Sequence, residues 1–532
     1  LAFFFRKFNS AFESWREKYT GKVSWMIHHL KYAVIFLVLV TGLMGLFYQL
    51  LPSTFVPEED QGFFMASVTM PEGTSLNQTV KTVDAIADET KKIPGVKDIM
   101  THAGGSTSNS GNVYISLDSW DQRTSSDLSV NSIIAKFNKT VVPLHPEARV
   151  AAFNTPALPG LGMEGGWTMQ LQDNVGLSDT ELGQVADQVV AACSARPELS
   201  GVRTSYATNT PSVQYAVDRE KIKNLGISLS DVFTALQANF GGSQVNDFNQ
   251  FGRAYKVIVQ ADTQYRMSPN DNKFLMVKDN KGNMVPISNF ITPKKSNAIA
   301  VITRYNNFPA VKIGGNQAAG YSSGQALNAL DEVAKETLPN GYGYAFAESS
   351  AQEREASGKT VYALALGMLF VFLSLAALYE SWKIPFSVIL GIPTGFFGAC
   401  LGAFAFNVYN DIYFQIGLLT IIGLAAKNAI LIVEYAKVRV DSGMEVVKAS
   451  IEASKIRLRP ILMTSLAFIL GNVPLALSTG AGSNSRSEMG IAVVFGVLSA
   501  TFFQIFIVPM LFIVIERIHG FRKPKKTVTV DE

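Results

Sequence analysis
Hydrophobic positions along the chain follow two regimes. Six runs are predominantly apolar: Ala33–Leu51, Thr360–Tyr379, Pro385–Phe406, Ile412–Tyr435, Pro460–Ser478 and Met489–Ile515. Each approaches the roughly 20 residues that an α-helix needs to cross a bilayer. Between the first and second runs, residues 52–359 form a long stretch in which short alternating segments adjoin segments with apolar spacing near 3.6, the signatures of half-buried strands and amphipathic helices. "GFFMASVTMPEGTSLNQTVKTVDAIADETKKIPGVKDIMTHAG", "WTMQLQDNVGLSDTELGQVADQVVAACSARPELSGVRTSYA" and "FPAVKIGGNQAAGYSSGQALNALDEVAKETLPNGYGYAFAES" each read as strand, helix, strand, and "NVYISLDSW", "SVNSIIAKF" and "ARVAAFNTP" add a fourth. Ser178 and Glu181 form a capping box ahead of one of these helices. The fold class expected is therefore a six-span α-helical membrane bundle plus a large α+β region of repeated, split βαβ sandwich units. The runs flanking Gly252 in "GGSQVNDFNQFGRAYKVIVQ" predict a projecting hairpin, suited to reach another subunit.

Charge orients the spans. Arg6, Lys7, Arg16, Lys18, Lys22 and Lys31 precede the first; Lys437, Arg439, Lys448, Lys455, Arg457 and Arg459 separate the fourth and fifth; Arg517, Arg522, Lys523, Lys525 and Lys526 follow the last. The opposite loops, "NVYND" and "STGAGSNSRSE", hold a single arginine, Arg486. Basic loops stay in the cytoplasm, so both termini are expected there and residues 52–359 outside. The organisation expected is a cytoplasmic helix over 1–32, a first span over 33–51, external subdomains over 52–359, five spans over 360–515 and a cytoplasmic tail over 516–532. In the first helix Phe8, Phe12, Trp15 and Tyr19 recur at helical spacing. That stripe suits a helix in the membrane interface or one packed on the other spans.

Composition narrows function mainly by exclusion. Only 17% of the 532 residues are charged and the net charge is +3, with a mean hydropathy of +0.18. No basic patch interleaved with aromatics suggests a nucleic-acid partner. Cys193 and Cys400 cannot make a disulfide framework. Leu1 is not an initiator methionine and no cleavable leader is visible, so the chain is expected to begin within a longer protein. There is no GxxxxGK[ST] phosphate loop, no GxSxG nucleophile elbow, and no metal-binding spacing among the five histidines. The glycine-rich "AGGSTSNSG", Ala103–Gly111, opens no helix and reads better as a loop than as a phosphate cradle. Neither an enzyme nor a cofactor is expected.

One residue breaks the apolar pattern. Lys427 in "GLAAKNAILIVEYAK" follows an uncharged run from Ile412 to Ala426, and Glu434 is the next charge. A lone ammonium at that depth costs about 2.5–3.5 kcal/mol on insertion scales unless it is paired or reaches internal water. Glu434 shares roughly the same face but stands about 10 Å along the axis. On the next span Arg457 and Thr464 are also seven apart, one at the cytoplasmic entrance and one able to hydrogen-bond across helices. No Asp or Glu lies near the middle of any span; Asp411 and Glu488 stand at the external ends. The counter-charge of Lys427 is therefore expected on a part of the protein outside this sequence, and a lysine facing carboxylates that gain and lose protons makes a relay.

"GLLTIIGLAAKNAILIVEYAK", "RLRPILMTSLAFILGNVPLALSTGAG", "LAALYESWKIPFSVILGIP" and "FVPEEDQGFFMASVTMPEG" closely resemble the resistance-nodulation-division (RND) multidrug exporters of the hydrophobe/amphiphile subfamily, HAE1. The resemblance covers almost the whole chain and matches the C-terminal half of such a transporter. It implies a bacterial inner-membrane homotrimer driven by the proton-motive force, with a periplasmic adaptor and an outer-membrane channel as partners and small amphiphilic drugs as substrates. It implies that Lys427, Thr464 and Arg457 complete a proton relay whose aspartates belong to the N-terminal half. It also places a drug pocket near Tyr114, Phe153 and Arg203, with Trp167 nearby, and a switch loop over Thr101–Gly111 containing Gly104, Gly105 and Gly111. That loop lacks the phenylalanines common in the family. Two other readings stand beside it. A metal-ion exporter of the same superfamily would need a thioether or thiolate ladder, which the 15 methionines do not form. A membrane-anchored assembly or protein-translocation factor would need an exposed strand edge.

Overall fold
The computed structural model describes residues 2–517 except 106, 159, 163, 164, 177, 205, 300 and 357, with side chains from residue 12 onward. Helix α1 (Ala2–His28) bends at His29 into α2 (Leu30–Leu50). Strand β1 (Phe63–Thr69), α3 (Leu76–Thr90), β2 (Val96–Ala103), β3 (Ser110–Leu117), α4 (Val130–Thr140) and β4 (Arg149–Asn154) follow. Their strands form one antiparallel sheet in the order β2-β3-β1-β4, with both helices on one face. Two of the strand–helix–strand segments read from the sequence are therefore halves of a single split βαβ unit.

The same happens again with an insertion. β5 (Trp167–Asp173), α5 (Asp179–Ser194) and β6 (Leu199–Thr204) share a sheet with strands more than a hundred residues on. The intervening chain holds β7 (Thr210–Val217), α6 (Arg219–Asn224), α7 (Leu229–Leu236), β8 (Ser243–Gln250), β9 (Arg253–Val259), β10 (Met276–Lys278), β11 (Met284–Pro286) and β12 (Ile291–Ala298) around a small core that includes Ile222, Val232, Ile287 and Phe290. β8 and β9 make a largely exposed hairpin with Phe251 and Gly252 at positive φ in the turn. β13 (Thr303–Tyr305), β14 (Phe308–Gln317), α8 (Ser323–Thr337) and β15 (Tyr342–Phe346) complete the second sheet, in which β14 pairs both β5 and β6. The Ser178–Glu181 capping box is present at the start of α5.

After α9 (Glu348–Ala356) the chain makes α10 (Lys359–Tyr379), α11 (Ile384–Ile389), α12 (Ile392–Ala405), α13 (Ile412–Asp441), α14 (Val446–Ala476) and α15 (Ser483–Arg517). With α2, these give six helical segments long and apolar enough to cross a membrane, α11 and α12 counting as one. Several boundaries differ from the hydropathy reading, the fourth span running on to Asp441 rather than ending at Tyr435. The third span is broken at Leu390–Gly391, where Thr394 Oγ1 and Gln504 Nε2 donate to the Gly391 carbonyl at 2.7 and 3.1 Å and so satisfy the freed acceptor. The fifth begins at Val446 and keeps Pro460 and Pro474 inside it, because a proline in a packed helix removes one hydrogen bond without ending the helix. The sixth starts at Ser483, six residues before its apolar run.

Packing within the bundle is uneven. The apolar windows of α11–α12, α13 and α15 are 56, 56 and 67% buried, whereas those of α2, α10 and α14 are 11, 6 and 22% buried. The central helices approach closely through small residues: a Cβ at Gly395 would lie 2.7 Å from Ile421 Cγ2, and one at Gly402 would lie 2.7 Å from Phe495 Cβ. α1 packs against this bundle through Tyr19, Val23 and Ile27, with Tyr19 donating to the Ile505 carbonyl at 2.7 Å. Trp15 is exposed, and Phe8 and the tail beyond residue 517 lie outside the described side chains.

The sheet region is fixed to the bundle by residues 52–60. Asp60 receives both terminal nitrogens of Arg123, at 2.8 and 3.0 Å, while Arg123 also donates to the Asp118 and Leu128 carbonyls. The Arg123 side chain is only 2% exposed, so removing its carboxylate strands a buried cation. Asp60→Ala is expected to destabilise the first sheet unit by about 2–3 kcal/mol, allowing for the partial exposure of Asp60. Unfolding curves of the membrane-extracted protein would show this as an earlier transition; an unchanged transition would contradict it.

Candidate functional site
Exposed positions on α13 recur at Ile416, Thr420, Gly423, Lys427, Glu434 and Val438. This three-and-four spacing is one stripe of a helix, and it turns away from the packed faces of α12, α14 and α15. Lys427 therefore stands on an open surface of the bundle, and among the described residues no ion pair or hydrogen bond engages it. The opposite side of α13 explains its depth. Asn428 donates to Ser465 Oγ on α14 at 3.3 Å and to Thr501 Oγ1 on α15 at 3.2 Å, all three residues being buried. A polar cluster inside apolar packing is favourable only when its members meet, so it fixes the axial register of three helices. Lys427 and Thr464 directly precede Asn428 and Ser465 in sequence, and the cluster holds them at a common level. Thr464 is exposed, with its hydroxyl turned back to the Ile461 carbonyl at 3.2 Å.

Arg457 lies further along α14, toward its N-terminal end. Its Cζ sits 4.6 Å from the centroid of the Tyr435 ring, while Arg439 covers the same ring at 3.9 Å. Arg439 is neutralised by Glu452 at 3.0 Å. Arg457 has no such carboxylate among the described residues, and its buried Nε has no hydrogen-bond partner. A planar cation can rest on an aromatic face and still offer its edge to an anion. Lys427, Thr464 and Arg457 thus open on the exposed side of α13 and α14 without touching one another directly.

The candidate residues of the sheet region separate into those that converge and those that do not. Cross-strand partners share a face of a sheet, and the register places Met100, Tyr114, Met65 and Phe153 in one row across β2, β3, β1 and β4. That face is opposite the core formed by Phe64, Val113, Ile115 and Phe137. From the second unit, Arg203 on β6 lays its Cζ 5.6 Å from the Phe153 centroid. Phe153 also lines a cavity of about 680 Å³ between the two units and the top of the bundle, with Ile134, Pro156, Leu158, Leu161 and Tyr409 as apolar wall and Glu58, Glu353 and Glu488 as acidic wall.

Trp167 does not join them. It packs within the core of the second unit, with its indole N–H donated to the Asn316 carbonyl at 3.1 Å, whereas Phe153, also buried at 4% exposure, lies outside both cores and borders the cavity. The expected loop is also shorter than Thr101–Gly111. Thr101, His102 and Ala103 continue β2, paired with Val113, Asn112 and Gly111, so among the described residues of this segment only 104, 105 and 107–109 lie outside the ladder. Gly104 and Gly105 take positive φ there. Gly111 is in the ladder, where a Cβ would lie 2.7 Å from Val83 Cγ2. Ser108 and Asn109 tie the turn to the Thr74 and Met70 carbonyls at 2.9 and 3.0 Å. The Asn428 cluster was missed in sequence, although two adjacent polar pairs, Lys427–Asn428 and Thr464–Ser465, were its visible signal.

Comparison with known proteins agrees with this architecture. Residues 2–516 match the model of the AcrB/AcrD/AcrF family. The chain is 40% identical over 523 residues to the multidrug export protein AcrF of Escherichia coli K12, covering 97% of this chain and 50% of that protein. It is 39% identical to the multidrug resistance protein MdtF of the same strain, covering 98% and 51% respectively. It is 38% identical to the toluene efflux pump membrane transporter TtgB of Pseudomonas putida, covering 99% and 50%. The chain spans about half the length of these relatives. It belongs to the AcrB/AcrD/AcrF family, the RND multidrug efflux transporters of the HAE1 subfamily.

Proposed function
We propose that the chain is the C-terminal half of a proton-driven exporter of amphiphilic compounds. The complete transporter works as a homotrimer in the bacterial inner membrane, with residues 52–359 in the periplasm, and joins a periplasmic adaptor and an outer-membrane channel. No cofactor enters; the proton-motive force supplies the energy. The observation that carries this reading is the open stripe of α13 with Lys427 at its centre, on a chain whose relatives are twice as long. A span of the other half, laid along this stripe, brings carboxylates to the ammonium. While they are ionised, Lys427 and Arg457 neutralise them; when they take protons, the attraction lapses and the helices are free to shift. Thr464 offers a neutral hydroxyl at the same level, able to donate to whichever form is present.

On the external side, the row from Met100 to Phe153 offers non-directional apolar burial, with single aromatics contributing about 1–3 kcal/mol, and Arg203 adds a cation above Phe153. Many amphiphiles satisfy such a surface. The connection between β2 and β3, with Gly104 and Gly105 in it, serves as the moving part beside it, and the β8–β9 hairpin reaches a neighbouring protomer. The acidic wall of the cavity suits cationic amphiphiles.

In the complete transporter, Lys427→Ala is expected to abolish efflux at parental expression and trimer content, and Lys427→Arg to restore little of it, since a planar fork replaces a compact charge. Normal drug efflux by a well-expressed Lys427→Ala protein would refute the relay. Phe153→Ala and Arg203→Ala are expected to change the order of resistance among chemically distinct drugs by about 5- to 30-fold, the equivalent of 1–2 kcal/mol, with proton transport retained. Profiles identical to the parent for every drug would move the binding surface elsewhere.

Glu353 adds a pH dependence. Burial raises its carboxyl from 4.5 to about 7, against the opposing effects of the Ser323 hydroxyl and the Arg354 charge. Between those two values the folded protein keeps a proton that the unfolded chain releases, so stability falls as pH rises through that window. The loss is about 2 kcal/mol after allowing for partial exposure. Thermal unfolding of the complete transporter from pH 4.5 to pH 7 is expected to show this slope, and Glu353→Gln to flatten it; equal slopes in the two proteins would contradict the assignment.

A further inference from the structure
Where α13 and α15 begin, at the end of the bundle nearest the sheets, three carboxyl side chains are almost fully buried. Asp411 precedes α13 and is 0% exposed, Glu488 lies in the first turns of α15 at 7%, and Glu59 stands on the connection from α2 to β1 at 6%. Their hydrogen bonds divide them. Glu59 accepts from the Asn484 amide at 3.3 Å, the Ser485 amide at 2.7 Å and the Ser485 hydroxyl. An ionised carboxylate at the amino end of a 35-residue helix is well stabilised. Asp411 accepts at Oδ1 from the Phe414 amide at 2.7 Å, but its Oδ2 is buried and receives nothing. Glu488 Oε2 is likewise buried without a partner. The two side chains are within hydrogen-bonding reach of each other.

Two ionised carboxylates are both acceptors, so no hydrogen bond exists between them unless one carries a proton. No cation relieves the pair: among the described residues no ion pair includes Asp411, Glu488 or Glu59, and Arg486, two residues before Glu488, donates to the Thr479 and Ala481 carbonyls instead. Arg354 lines an adjoining pocket with Asn410 and Ile412 but is paired with Asp331, and the remaining groups nearby are neutral or acidic. Tyr409 and Glu353 line the same cavity as Glu488, Tyr413 follows Asp411, and the Gln415 amide donates to Asn410 Oδ1. Like charges this close do not both ionise in a buried site.

We infer that Asp411 and Glu488 form a proton-binding site that holds one proton between them, separate from the Lys427 relay and at the N-terminal end of α13. The proton comes from external water through the cavity that Glu488 lines, and converts two clashing acceptors into one hydrogen bond joining α13 to α15. Its release leaves two adjacent buried anions, which only water or separation of the helix ends can relieve. The same helix end is bound by Glu59, and Asn484 donates to the Glu58 carbonyl at 2.6 Å. Glu58 in turn receives Asn131 of the first sheet unit at 3.3 Å and Gln317 of the second at 2.6 Å. Protonation at this corner is therefore linked to the seating of both external units on the bundle.

The site goes beyond the exporter reading, and its test needs no transport. Infrared spectra of the complete transporter in membranes would be recorded across pH for the parent, Asp411→Asn, Glu488→Gln and the double variant. The amides preserve shape, and asparagine still caps α13. The expected result is a protonated-carboxyl band at neutral pH in the parent that either single change removes, the double change removing no more. A band that neither single change diminishes, or losses in the single variants that add in the double variant, would overturn the shared proton. A protein that keeps the band but fails to export drugs would overturn only the transport reading.

Discussion

An ammonium group placed in the apolar middle of a helix must be neutralised, and this requirement organises much of the bundle. Lys427 is held at its depth by Asn428, whose side chain is committed to Ser465 and Thr501 on the next two helices. Because those three polar groups lose their partners together if any helix slides, the register of α13, α14 and α15 is stiff where it matters. The stiffness gives the lysine a fixed position on a face that the six helices themselves leave open. A charge on a rigid, uncovered face is suited to act on a partner that moves.

The two ends of α13 then have different electrostatic tasks. At the N-terminal end of the helix, carboxyl groups gather with no ion pair to Asp411, Glu488 or Glu59 among the described residues, and the chain copes by helix-end amides at Glu59 and by the proton proposed between Asp411 and Glu488. Toward the other end, cations gather: Arg439 and Arg457 flank Tyr435, and one of the two has a carboxylate partner. The sheet region is coupled to the first of these ends by residues 58–60. Glu58 and Glu59 both accept from the start of α15, Glu58 also accepts from Asn131 and Gln317 of the two sheet units, and Asp60 accepts from Arg123, so a shift of α15 cannot leave the sheets undisturbed.

Much of this was legible in the residue pattern, and the failures have a common cause. Hydropathy found the six spans and misplaced their ends, since Ser483–Glu488 is polar and Val446–Arg459 mixes apolar residues with charges, and helical packing carries both beyond the apolar window. Periodicity found four strand–helix–strand segments but not that they pair into two sheets, one interrupted by some hundred residues, because pairing is non-local. Alternation also gave no warning about Trp167: β5 is covered on both faces, so a side chain there is buried whichever way it points. The depth of Lys427 was plain from sequence, whereas the cluster behind it required knowing which helices touch. Glycines and serines made 101–111 look like a loop, although Gly111 is there for close approach to Val83.

The central claim is that the open face of α13 is completed by a span bearing carboxylates. The most direct test is the position of Lys427 Nζ in an experimental structure of the complete transporter. The account predicts a carboxylate oxygen from another span within about 4 Å of Nζ, with Arg457 directed at the same group. A Lys427 side chain turned to lipid acyl chains, with no carboxylate in reach, would contradict it.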